Sequence, residues 1–413
     1  MRRRLTLVCW LAFLVPASLV PASAQVPIAS EGFAVFNQMF DSQSPGGPMK
    51  CTARLRGPAF DFAFRFNVGY AFFCNLSDFL DQTADLHVYT RVTPQGGEPV
   101  LLEETYTPPR LPEEMRPGVK IQKLRRSEFW FGGAFSVGEG DYRVEVLLSD
   151  GQNRRNLSRW DVHVARKKSE RAITPAIPAG TVLPTVVLPW DGKLAARGLR
   201  LTLLLDAATM DPNEGKLYTW DRALLLQSLA SLLRQTPCRS VRLVAFNLDQ
   251  QREILRKEHF DRNAFGELSQ ALQQLELGTV SYRALQKHTS TELLAALARQ
   301  ETTAKQPADA VIFLGPSAHI EEKMPKEVAS VLGTNSPRFF YFEYFPWFGV
   351  RPEFPDAIDY LTRELHGTVY KIHSAGDLGQ AIQKMLAQLG PGETDKAPEP
   401  AFGLPPVVGE PLR

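Results

Sequence analysis

The residue best placed to do chemistry is Asp206. It closes the run Leu-Arg-Leu-Thr-Leu-Leu-Leu-Asp at 199–206, where an apolar strand gives way to a loop. Such a run, with few polar interruptions, reads as a strand buried on both faces of a parallel sheet. In open sheets of that kind ligands bind beyond the carboxyl ends of the strands, so the Asp206 end is where a binding site belongs. Ser317 and His319 are a second pair, two residues apart and pointing the same way if the backbone is extended. They lack a third group to orient the base. Gly315-Pro316-Ser317-Ala318-His319 also lacks the second glycine of a nucleophile elbow.

The segment Phe339 to Phe348, Phe-Phe-Tyr-Phe-Glu-Tyr-Phe-Pro-Trp-Phe, has the most unusual composition in the chain. Its first half reads as a buried strand. Pro346 ends that strand, which puts Tyr344, Phe345, Trp347 and Phe348 in the loop at the same edge as Asp206. Rings there either pack on a neighbouring element or serve as anchors for a partner.

Other chemistries find no residues to carry them. No phosphate-binding glycine loop, dinucleotide fingerprint or zinc spacing occurs, and the histidines at 87, 163, 259, 288, 319, 366 and 373 are scattered. A phosphatase of the haloacid dehalogenase kind needs a second Asp two residues after the first, where Ala208 stands. No enzymatic activity is expected.

Residues 1–25 read as a secretory signal peptide: Arg2, Arg3 and Arg4, then an apolar core over Leu5–Leu14, then Ala22-Ser23-Ala24 for cleavage. The apolar run is shorter than the roughly 20 residues a span requires, so no membrane insertion of the mature chain is expected. The chain has 47 basic and 45 acidic residues, and losing the three signal arginines leaves 44 against 45. That balance gives no global reason to bind nucleic acid. An exported, periplasmic or secreted protein can form disulfides, and Cys51 with Cys74 is the candidate bridge because both lie in one β-rich region. Closing it would contribute roughly 3 kcal/mol. Two buried thiols are the alternative.

These residues need two scaffolds and the segments around them. Residues 26–165 read as short strands with turn signals; in the hairpin Asp141–Val164, Tyr142, Val144, Val146 and Leu148 share one face. One buried face per strand predicts an antiparallel β-sandwich of immunoglobulin-like type. Residues 166–196, with Pro175, Pro178, Pro184 and Pro189, read as a linker. Over 197–390 strands and helices alternate, which predicts an α/β open, mostly parallel sheet with helices on both faces. Residues 391–413, rich in Pro and Gly, read as a disordered tail.

This order of elements, with an Asp ending the first strand, resembles a von Willebrand factor type A domain, as in secreted bacterial VWFA-related proteins. In metal-binding members of that family the first strand ends Asp-x-Ser-x-Ser, a middle loop gives a Thr, and a second Asp follows the fourth strand. The resemblance implies hard oxygen ligands around Mg²⁺ on three loops. Here Asp206 stands, but Ala208 and Met210 replace the two Ser, and Gly315-Pro316 occupies the place of the second Asp. Thr279 matches the Thr. The resemblance therefore implies a degenerate adhesion site with Asp206 and Thr279 as its remaining ligand candidates, and no Mg²⁺ or other cofactor is expected. The expected function is an exported, non-enzymatic protein-interaction module whose partner is another protein of the envelope or exterior. The alternative is a metal-dependent receptor or hydrolase using Asp206.

Overall fold

The computed structural model describes residues 25–28, 33–42, 47–79, 84–109, 127–185, 189–211, 214–277, 290–317, 336–345 and 355–390. The signal segment, the 391–413 tail, Thr279, His319, Trp347 and Phe348 lie outside the described residues. The chain divides into two compact units. The first takes residues 1–57, 68–135 and 142–162; the second takes 58–67, 136–141 and 163–413.

The first unit holds a five-stranded sheet in the order β1-β5-β4-β7-β8: β1 (Val26–Pro27), β4 (Leu86–Pro94), β5 (Val100–Tyr106), β7 (Gly140–Ser149) and β8 (Arg155–Val164). A second sheet runs β2-β3-β6-β9, formed by β2 (Cys51–Phe60), β3 (Phe66–Asn75), β6 (Glu128–Val137) and β9 (Val182–Pro184), whose ends at 58–60, 66–67 and 136–137 and whose strand β9 count with the second unit. Strict alternation drives these strands: in β3, Phe66, Val68, Tyr70, Phe72 and Cys74 are buried on one face. Cys51 and Cys74 are joined by a disulfide with an S–S distance of 2.07 Å. Helix α1 (Phe33–Asp41) packs Phe40 on Leu101 and Leu147, with Phe33 and Phe36 beside it. Its apolar residues recur at helical spacing, a signal masked in a region that reads as strands.

The second unit holds a six-stranded mixed sheet in the order β12-β11-β10-β13-β14-β15. It comprises β10 (Leu199–Asp206), β11 (Cys238–Asn247), β12 (Arg252–Lys257), β13 (Ala310–Pro316), β14 (Arg338–Tyr344) and β15 (Thr368–Ile372). Strand β10 pairs in parallel with β11 and β13, whereas β12 runs antiparallel to β11. The helices are α2 (Thr219–Gln235), α3 (Arg262–Gln273), α4 (Ser290–Thr302), α5 (Ala357–Glu364) and α6 (Ala375–Leu389). Leu201, Leu203 and Leu205 pack with α2, α3 and α6; Leu204, Val311 and Phe313 pack with α4 and α5.

The fold class expected from sequence, a helix-rich α/β fold of von Willebrand type behind a β-sandwich, needs correction. The described residues form three sheets, two antiparallel and one mixed, with few helices, so the described part of the chain is mostly β. Two features account for this. After β11 the chain folds straight back through Leu248–Gln251, with the Gln251 N–H donating to the Leu248 carbonyl and Gln251 in a left-handed conformation, so an antiparallel edge strand interrupts the alternation and makes the sheet mixed. The long ladders β2, β3 and β6, ten residues each, also add strand content that short-strand signals understate. Within the proline-rich stretch Ile173, Ile177, Val182 and Trp190 are buried.

Candidate functional site

Asp206 ends β10 and is 1% exposed. The loop after it is pinned from both sides. The Ala207 N–H donates to the Phe246 carbonyl (2.7 Å), and the Asn247 side-chain amide donates to the Ala207 carbonyl (2.9 Å). The Met210 and Tyr218 amides donate to the Asp221 carboxylate at 3.2 and 3.0 Å, tying the loop to the start of α2. Ala208 and Met210, which stand where the family pattern has serines, are buried apolar side chains. On the other side Gly315 presses on Asp206, where a Cβ would lie 2.8 Å from the Asp206 Cβ.

Further acids gather near this edge. Glu343 on β14 is also 1% exposed, and Asp356 caps α5. Asp356 is well supplied with donors: the Asp359 amide donates to its Oδ1 (2.7 Å), while the Tyr341 and Ser317 hydroxyls lie 3.0 and 3.3 Å from its Oδ2. Asp206 and Glu343 are more sparsely supplied: the Leu248 backbone lies on Asp206 and the Ser317 hydroxyl on Glu343, and neither contact is a close, well-aligned hydrogen bond. Burial pushes the Asp206 carboxyl well above the usual carboxylate range, and the charges of Asp249 and Asp356 push the same way. Burial, then Asp356, pushes Glu343 up to about 8, with Ser317 and Lys371 opposing. Burial thus favours the neutral form of both carboxyls, which needs no counter-ion.

A divalent ion needs several charged or carbonyl oxygens at one point. The two family serine positions beside Asp206 hold alanine and methionine, and no cluster of three His, Cys, Asp or Glu suited to a metal occurs among the described residues.

Tyr344 and Phe345 sit in the core. Tyr344 is the last residue of β14, fully buried and edge-on to Phe62 at 5.5 Å; Phe345 is buried and stacks on His373 at 5.1 Å, with the Lys371 ammonium 4.8 Å from its ring centre. Ser317 is turned to Asp356. What sequence reasoning missed is the outer face of the four-stranded sheet. Phe131 of β6 stacks on Phe72 at 5.5 Å, so its neighbour Trp130 points away from that interior and is 66% exposed. By the same alternation Phe73 shares the outer face, with the Arg54 guanidinium 5.0 Å from its ring centre and Arg56 beside Gly69. The alternation Glu-Phe-Trp-Phe at 128–131 carried the signal.

No family model matches the chain, and no curated protein matches it. Among solved structures it is similar to a glycosyl hydrolase family 2 member from Bacteroides cellulosilyticus, at 8% identity and a TM-score of 0.19 over 76% of this chain and 37% of that one. It is likewise similar to a mutant enoyl thioester reductase from Candida tropicalis, at 10% identity and 0.23, covering 82% and 87%. A β-glucuronidase from Bacteroides uniformis gives 9% and 0.17, covering 76% and 38%. Scores this low carry no argument about fold or activity, and they lend no support to the von Willebrand resemblance.

Proposed function

We propose that this chain is an exported, non-catalytic binding module that recognises another protein of the envelope or exterior through the outer face of its four-stranded sheet. The observation that carries the reading is Trp130, two-thirds exposed on a rigid ten-residue strand beside the stacked pair Arg54 and Phe73. Trp and Arg dominate the energetics of protein interfaces, and a large ring held in water by a sheet costs free energy unless something covers it. The Cys51–Cys74 disulfide supports an oxidising compartment and with it export.

The edge bearing Asp206 supports the non-catalytic part. Asp206 is buried against Gly315; Ala208 and Met210 are buried apolar side chains, and the aromatic residues described there serve the core. The test is capture of a partner from an envelope extract by the mature chain and by its Trp130→Ala variant. Loss of capture with an unchanged melting temperature supports the reading. Equal capture by both removes this face from it.

A further inference from the structure

The turn between β2 and β3, residues 61–65, belongs to the second unit, where Phe62 and Phe64 enter the hydrophobic core. Phe64 takes φ 59°, and the residue after it, Arg65, has a side chain with no exposure to solvent. Its Nε donates to Asp61 Oδ2 at 3.1 Å, but Nη1 and Nη2 are buried without a partner. Asp61 has nothing more to offer them. Its Oδ1 accepts the amides of Ala63 (2.9 Å) and Arg65 (3.3 Å), and its Oδ2 accepts the Asn67 amide (2.7 Å) as well as Arg65 Nε. All four lone-pair positions of that carboxylate are in use.

A second guanidinium shares the site. Arg234, in the last turn of α2, reaches the same turn: its Nη2 donates to the Ala63 carbonyl (3.4 Å) and to Ser231 Oγ (3.2 Å). Burial first and the charge of Arg65 second bring Arg234 down to about 10, while Asp61 and Asp191 act the other way. Asp191 is half exposed and pairs with Lys193 at 3.1 Å. Two guanidinium groups thus share one fully engaged carboxylate. A buried charge without a counter-charge is among the most costly arrangements in a protein interior, and forked N–H donors match an anion.

We propose that Arg65 and Arg234 bind a small inorganic anion, a halide or an oxyanion no larger than sulfate, which accepts from the N–H groups of Arg65 Nη1 and Nη2. The enclosure of Arg65, whose side chain has no exposure to solvent, limits the ligand's size. The site is independent of the Trp130 face and of any partner.

Chloride is titrated against the larger gluconate at fixed ionic strength while the melting temperature of the full mature chain is read. The expected result is a saturating rise, on the order of 5 °C by a hundredfold excess over the midpoint, that is absent in Arg234→Gln. A flat curve for chloride and for sulfate, or an equal rise in both proteins, overturns the proposal. If Arg234→Gln does not fold, crystals soaked in bromide decide: an anomalous peak within about 3.5 Å of the Arg65 Nη atoms supports the site, and its absence overturns it.

Discussion

Gly315 lies against Asp206 so closely that a Cβ on the glycine would stand 2.8 Å from the Asp206 Cβ and 2.9 Å from its carbonyl oxygen. Adjacent parallel strands β10 and β13 thereby approach each other closely beside Asp206. Gly315→Ala should therefore cost about 1–3 kcal/mol by overpacking. Urea unfolding measures this, and a change below about 0.5 kcal/mol would mean that the edge is looser than described.

The buried carboxyls set a pH dependence of definite sign. Glu343 is raised to about 8 in the folded chain, so its contribution is fully present below the ordinary carboxylate range and is lost as pH climbs through about 8. Asp206 acts in the same direction. Unfolding free energy should fall between about pH 5 and 8, by a few kcal/mol at most, and Glu343→Gln should flatten that fall. An unchanged slope in the variant would contradict the placement of Glu343.

At the acid end Glu145 acts oppositely. Burial alone would raise it, but hydrogen bonds from Arg91 (2.6 Å) and Arg159 (2.8 Å) bring it below the usual range. Its contribution is present above that range and is lost on acidification. Arg91 also donates to Asn37 and Asp41 of α1, so Glu145→Ala should loosen that helix and cost about 2–3 kcal/mol, with Arg159 nearly half exposed and therefore partly hydrated. Hydrogen exchange over residues 33–41 reads the local loss; exchange there as slow as in the parent would count against the network.

Reduction of Cys51–Cys74, or replacement of both by Ser, should lower stability by about 2–4 kcal/mol, since the bond spans 23 residues of otherwise open chain. Denaturation with and without reductant measures it. Equal midpoints would show that the β2–β3 ladder holds itself.

Much of this molecule could be read from residue order. The apolar run ending in Asp206, the hairpin of β7 and β8 and the helix faces of α2 and α3 follow periodicity. Burial of Tyr344 did not: a proline two residues later suggested a loop, but Phe62, distant in sequence, completes a core around its ring. The same long-range packing hides Arg65, whose sequence neighbours give no hint of Arg234. The edge strand at Arg252–Lys257 was legible, but its tight turn rests on the Leu248 carbonyl and a left-handed Gln251 rather than on a glycine. Trp130 was the reverse case, an apolar residue whose strand parity points it outward.

The central claim is that recognition occurs on the outer sheet face and not at the Asp206 edge. Hydroxyl-radical footprinting of the mature chain, free and in complex with a captured partner, tests it most directly. The account predicts that labelling of Trp130 and Phe73 falls in the complex while labelling of Tyr218 and His373, which reach solvent near the Asp206 edge, is unchanged. Protection of Tyr218 and His373 with Trp130 still labelled would contradict it.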